Sequence, residues 1–284
     1  MNKSIDSEIT VVIFSCEGRE HLLPATIASF DNALKYQFHR RILALDGSYR
    51  HQDFDFVKPD LIVHSYIRRG YVQSIINALA LVDTEFFFWL EDDWQFTQPI
   101  ELEHLLNLLQ KNLDWLQIRF SKTAPLTQEE KRNPVTPEIF ESIYGFSANP
   151  CICRTKLVRL GFEALQQLPK DKFTGFETFL SNWCISQKKI CAVFDPKDSA
   201  TVIHTGYLEG TPRQWHMTAS LAGKADKYLS SMGHTLAPSI LQKISMLYKL
   251  IKVLLSLSIH QFWNRAAYDL SFRIVSVTKQ FKKS

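Results

Sequence analysis

The chain has 284 residues, 45% hydrophobic and 22% charged, which is ordinary globular composition and enough length to bury a full α/β core. Its formal net charge is +4, but the basic excess gathers from Ile240 onward, where Lys243, Lys249, Lys252, Arg265, Arg273, Lys279, Lys282 and Lys283 face only Asp269. Residues 1–239 are therefore acidic on balance, which excludes a nucleic-acid binder by charge and leaves the tail as the place for an anionic surface.

Four short apolar runs in the first hundred residues have strand length and are rich in β-branched and aromatic residues: Ile9 to Phe14, Arg41 to Leu45, Leu61 to His64 and Glu85 to Leu90. Between the first two, Leu22, Leu23, Ile27, Phe30 and Leu34 have helical spacing, and Pro24 suits a first turn. Val72, Ile75, Ile76 and Leu79 repeat that pattern from Tyr71 to Leu81. This alternation predicts a mainly parallel sheet flanked by helices, whose ligands sit beyond the carboxyl ends of the strands. Polar clusters fall at those ends: Ser15-Cys16-Glu17-Gly18-Arg19, Asp46-Gly47-Ser48 and Glu91-Asp92-Asp93.

Further along, the pattern predicts helices over Glu101–Asn112, Thr155–Leu168 and Glu177–Gln187, with strands over Leu116–Phe120, Phe146–Cys153 and Ile190–Phe194. Thr123 to Pro137 reads as a loop. Gly223, Gly233 and Pro238 punctuate a boundary between a domain over residues 1–220 and a tail over 238–284. Five cysteines without paired metal spacing, and an opening Met1-Asn2-Lys3-Ser4-Ile5-Asp6 that begins no signal peptide, predict a reducing, cytoplasmic setting. No run of about 18 uncharged apolar residues suggests a membrane span.

Glu91-Asp92-Asp93 follows Phe86-Phe87-Phe88-Trp89-Leu90, so a strand buried on both faces ends in three acids. Unpaired buried carboxylates are costly, and a hard divalent cation such as Mn²⁺ or Mg²⁺ is an economical partner. The alternative is that the acids form a solvated strand end or cap the helix near Pro99.

The succession of motifs resembles the family 2 glycosyltransferases, whose fold is GT-A. Ile9 to Ser15 is similar to their opening strand, Leu43-Ala44-Leu45-Asp46-Gly47-Ser48 to the segment ending Asp-Asp-Gly-Ser, and Glu91-Asp92-Asp93 to Asp-X-Asp. Ser147 to Arg154 resembles the acceptor-side segment, Gly175-Phe176-Glu177-Thr178 the stretch carrying the catalytic base, and Val202 to Gly206 the late histidine strand. Three positions depart from the pattern: Leu45 replaces an acid, Glu91 stands for Asp, and Thr178 replaces the usual Asp, leaving Glu177 as the carboxylate.

The resemblance, which runs from about Ile9 to Trp215, implies a metal-dependent, inverting transferase that moves a sugar from a nucleotide-sugar donor to a glycan or lipid-linked acceptor in envelope polysaccharide synthesis. It assigns Asp93, Glu91 and His204 to the divalent metal, Glu177 to general base, and Asn149 and Trp94 to the acceptor side. Ser15, Glu17, Asp46, Arg69, Asp92 and Arg213 fall to the donor, although Arg69 has the alternative of solvating a loop with Arg68. Competing readings are a catalytically degenerate scaffold of the same fold, or a nucleotidyltransferase, which usually has a richer glycine loop than Gly18 and Arg19 provide.

In the tail, Ser245, Lys249, Lys252 and Ser256 share one helical stripe, and Arg265, Asp269, Arg273, Ser276 and Gln280 another among Phe262, Trp263, Tyr268 and Phe272. Such C-terminal amphipathic helices either lie on an anionic membrane, placing the chain peripherally at its inner face, or pack on the domain or in a dimer.

Overall fold

A computed structural model describes residues 9–47, 54–65, 67–121, 126, 128–169, 175–196 and 200–205, all within one compact unit, Met1–Thr205. The boundary near 220–238, the tail helices, Ser48 and Arg213 lie outside the described residues.

β1 (Ile9–Cys16) sits in the middle of a parallel group. It pairs with β2 (Arg40–Asp46) on one side and β4 (Phe86–Glu91) on the other, and β3 (Leu61–Ser65) continues beyond β2. Pleating sends alternate side chains to opposite faces. Phe86, Phe88 and Leu90 pack with Leu23, Ile27 and Phe30 of α1 (Leu23–Ala33) and with Leu105, Leu106 and Leu109 of α3 (Leu102–Lys111). Phe87 and Trp89 face the other way, onto Ile75 and Leu79 of α2 (Tyr71–Leu79), Val158 and Phe162 of α4 (Thr155–Gln166) and Leu180 of α5 (Phe176–Ser186). The continuous apolar run of β4 is thus the sequence of a strand covered by helices on both faces, as the sequence predicts.

Beyond β4 the sheet changes sense. β9 (Cys151–Arg154) runs antiparallel between β4 and β6 (Trp115–Phe120), and β10 (Ile190–Phe194) lies parallel to β6. β8 (Ile139–Glu141) and β7 (Pro134–Thr136) close the edge, giving the order β3-β2-β1-β4-β9-β6-β10-β8-β7. A second, two-stranded antiparallel sheet joins β5 (Trp94–Phe96) to β11 (Val202–His204), with His204 opposite Trp94.

Two expectations need correction. The strand expected over Phe146–Cys153 is confined to Cys151–Arg154. Side chains take up the backbone before it: Ser147 N–H donates to Gln117 Oε1 and Gln117 Nε2 to the Ser147 carbonyl, both at 2.9 Å, while Ala148 N–H donates to Glu177. The loop expected from Thr123 to Pro137 ends in β7, where Pro134 is tolerated because an edge strand has no inner ladder to complete. All five cysteines are free thiols; Cys151, Cys153, Cys184 and Cys191 are buried in the core.

Phe88 is fully buried against the rings of Phe30, Phe120 and Phe96, at 5.1, 5.6 and 6.2 Å between centroids. Phe88→Ala is expected to cost about 3–5 kcal/mol in urea denaturation. A loss below about 1 kcal/mol would show that this layer is not packed as described.

Candidate active site

The carboxyl ends of β1, β2 and β4 meet at one edge of the sheet, and the pleat of β4 distributes its terminal acids. Glu91 continues the face of Phe87 and Trp89, toward α2, and bonds Tyr71, the first residue of that helix. Asp92 follows the face of Leu90, toward α1, where Thr26 Oγ1 donates to its carbonyl at 2.6 Å. The solvated strand end is overturned, since Asp92 and Asp93 are only 2% and 3% exposed.

Each acid has its own answer to burial. Arg19 grips Asp92 through Nε, 3.0 Å from Oδ1 and 3.1 Å from Oδ2, and through Nη2, 2.5 Å from Oδ1; Ser15 Oγ donates to Oδ2 at 2.7 Å. The same Nη2 lies 2.5 Å from Asp93 Oδ2, which His204 Nε2 approaches at 3.0 Å. Burial opposes a charge on Asp93, but His204 and Arg19 together outweigh it and hold the carboxyl at about 2. Asp93 Oδ1 is buried and accepts no hydrogen bond among the described residues.

Glu91 is enclosed differently. Tyr71 Oη donates to Oε1, and Trp94 Nε1 donates to Oε2 at 3.1 Å. Burial, then the charge of Asp93, push the Glu91 carboxyl up to about 8, with Glu177 adding to the rise and the two donors working against it. Trp94 is itself buried, its ring 4.5 Å from that of His204.

On the donor side expected from the sequence, Asp46 is buried and accepts from the backbone N–H groups of Arg69 at 2.7 Å and Gly70 at 3.0 Å. Glu17 is exposed, and its N–H donates to the Asp46 carbonyl at 3.0 Å. The two segments approach so closely that a Cβ on Gly47 would stand 2.6 Å from Glu17 Cβ, and its φ of +127° also requires glycine. Arg69 serves Asp46 through its backbone, with its side chain exposed. Across the site, Glu177 opens α5; its Oε1 accepts from Ala148 N–H at 2.7 Å and Ser147 Oγ at 3.2 Å. Asn149, one residue on, is buried.

The three-ligand metal set of Glu91, Asp93 and His204 is not assembled: among the described residues no group of three His, Cys, Asp or Glu side chains is arranged to hold an ion. The physical reason is that Tyr71 and Trp94 occupy both oxygens of Glu91. Asp93 and His204 are brought together, and the 3.0 Å between them is a normal separation for neighbouring ligands. Small hard cations need only one or two protein ligands when phosphate oxygens and water supply the rest, so this pair, with the unused Asp93 Oδ1, fits a divalent ion.

Sequence reasoning missed two residues as site members. Arg19 stood in the polar cluster after β1, and its place at a strand end was the available signal; its pairing with Asp92 and Asp93 is shown by the fold alone. Tyr71 carried none beyond its place at the start of α2, because only the fold shows that its hydroxyl meets Glu91.

No family model matches the chain, and no curated protein matches it. Solved structures do. The crystal structure of GalNAc-T7 with UDP, GalNAc and Mn²⁺ superposes with a TM-score of 0.52 at 14% identity, covering 71% of this chain and 44% of that one. The crystal structure of S. aureus TarS gives 0.50 at 13% identity, covering 91% of this chain and 44% of that one. Both are glycosyltransferases, and the chain spans less than half the length of either. The described domain therefore has the GT-A fold, with a mostly parallel central sheet between helices.

The raised Glu91 carboxyl has a consequence for stability. The folded chain keeps a proton there that the unfolded chain releases, so this group's contribution is present below about 4.5 and is lost as pH rises through about 8. Glu91→Gln has no such proton. In metal-free urea denaturation across this range, the substitution is expected to flatten the decline in stability; an unchanged slope would contradict the raised Glu91 carboxyl.

Proposed function

We propose that this chain is a glycosyltransferase that moves a sugar from a nucleotide-sugar donor to a hydroxyl of a glycan or lipid-linked acceptor, using Mn²⁺ or Mg²⁺. The observation that carries the reading is Asp93: a carboxylate held charged and buried, with His204 beside one oxygen and no hydrogen bond to the other among the described residues. Arg19 and His204 offset the charge of Asp93 at Oδ2, which leaves Oδ1 as the position a divalent cation would fill. The GT-A fold adds support, and the GalNAc-T7 structure holds a nucleotide, a sugar and Mn²⁺.

A divalent cation, when bound, would neutralise charge on the departing diphosphate. Asp93 and His204 would hold it, and Arg19 and Ser15 keep Asp92 in place beside Asp93. Asp46, fixed by the backbone of Arg69 and Gly70, receives the base or ribose of the donor, with Glu17 at the mouth. Glu177 takes the proton from the attacking hydroxyl. Its Oε1 is immobilised by Ser147 and Ala148, while among the described residues no group donates to Oε2, so one oxygen is anchored and the other is available as base. One base and one leaving diphosphate make a single displacement, with inversion at the anomeric carbon. Arg213 at the diphosphate and the basic tail at an anionic membrane extend the same reading from the sequence, as does a role in envelope polysaccharide synthesis.

Calorimetry with UDP, GDP, CMP and dTDP, with and without Mn²⁺, tests this. One nucleotide is expected to bind only with the ion, and Asp93→Asn to abolish that binding. Glu177→Gln is expected to keep it while lowering kcat by about 100-fold to 10,000-fold. Nucleotide binding indifferent to Mn²⁺ and to Asp93→Asn, without turnover, would identify a non-catalytic scaffold instead.

A further inference from the structure

Arg19 has no step in the proposed chemistry, yet it contacts both buried aspartates. Its hold on the two is unequal. Asp92 is met by Nε, shared between both oxygens, and by Nη2; Asp93 is met by Nη2 alone, at 2.5 Å. Releasing Asp93 therefore breaks one contact and leaves the fork on Asp92 intact.

The acids themselves are tied down. Thr26 Oγ1 donates to the Asp92 carbonyl at 2.6 Å, and Thr205 donates to the Asp93 carbonyl from N–H at 2.8 Å and from Oγ1 at 3.0 Å. Ser15 holds the Asp92 carboxylate. Arg19 is the freer partner, with 20% of its side chain exposed on a turn after Gly18, whose φ is +88°. A guanidinium in contact with Asp93 repels a divalent ion held by the same carboxylate, and water screens that repulsion poorly in a buried site.

We propose that Arg19 is an internal competitor for the divalent cation: its Nη2 neutralises Asp93 in the ion-free protein, and the ion binds Asp93 only by displacing that contact. This rests on reading Asp93 as the cation ligand. Arg19 thereby keeps the ion-free site paired and folded and holds the affinity for the ion down. The exchange costs little rearrangement, because the displaced nitrogen already has Asp92 as its other acceptor.

Electron paramagnetic resonance of free Mn²⁺, titrated with the full chain, reads the affinity without any donor. Arg19→Lys replaces a fork that spans both acids by one compact ammonium. It is expected to bind Mn²⁺ about tenfold or more tightly than the unsubstituted chain. Should the shorter reach of the ammonium leave Asp92 unsupported and the Arg19→Lys chain unfolded, the double variant Arg19→Gln with Asp92→Asn removes the Arg19–Asp92 ion pair as a whole, leaves Asp93 with His204 beside it, and is expected to show the same tightening. A folded variant that binds Mn²⁺ no more tightly, while Asp93→Asn still abolishes binding, overturns the proposal alone. Mn²⁺ binding that is absent, or indifferent to Asp93→Asn in every background, overturns the cation reading and the proposal with it.

Discussion

β4 is covered on both faces, and its carboxyl end delivers Glu91, Asp92 and Asp93 into a region where counter-charge or donated hydrogen bonds must replace water. The ion pairs of Arg19 with Asp92 and Asp93 meet most of that demand, and the geometry of the site follows from them. They draw the turn after β1 over the end of β4, while Ser15 and Thr26 add hydrogen bonds from β1 and α1. On the opposite face, Glu91 draws in Tyr71 from α2 and Trp94 from β5, and Trp94 in turn meets His204 of β11. Three consecutive acids thus connect both helical layers and the small second sheet.

That division is a consequence of strand pleating, and it explains why the acids are not equivalent. Asp92 is saturated by its partners, Glu91 has a donor on each oxygen, and Asp93 alone keeps an oxygen with no hydrogen bond among the described residues. An Asp-X-Asp resemblance treats the first and third acids alike, whereas the surroundings here separate them. The longer glutamate reaches Tyr71 and Trp94, which turns its carboxylate to the work of packing α2 and β5.

Much of the fold was legible because it rests on local pattern. The apolar runs of β1, β2 and β4, the spacing in α1 and α2 and the parallel sense of the first four strands followed from strand-length runs alternating with helices. The second half was less so, because its strand choices are set by partners distant in the chain. Gln117 intercepts the backbone of Ser147 and shortens β9, and β5 exists only because Val202 to His204 returns to pair with it. At the site, strand ends singled out Asp46 and Asp93, and the family resemblance added His204 and Glu177, but neither showed the competition for each carboxylate. Arg19 and Tyr71 act through contacts across 74 and 20 residues of sequence, which no spacing rule reads.

The most direct measurement is anomalous diffraction from crystals soaked with Mn²⁺ and a nucleoside diphosphate. The account predicts one manganese peak within bonding distance of Asp93 and His204, with Glu91 still held by Tyr71 and Trp94 and Arg19 withdrawn from Asp93. Manganese located elsewhere, or bound nucleotide with Arg19 still closed on Asp93 and no metal peak, would contradict it.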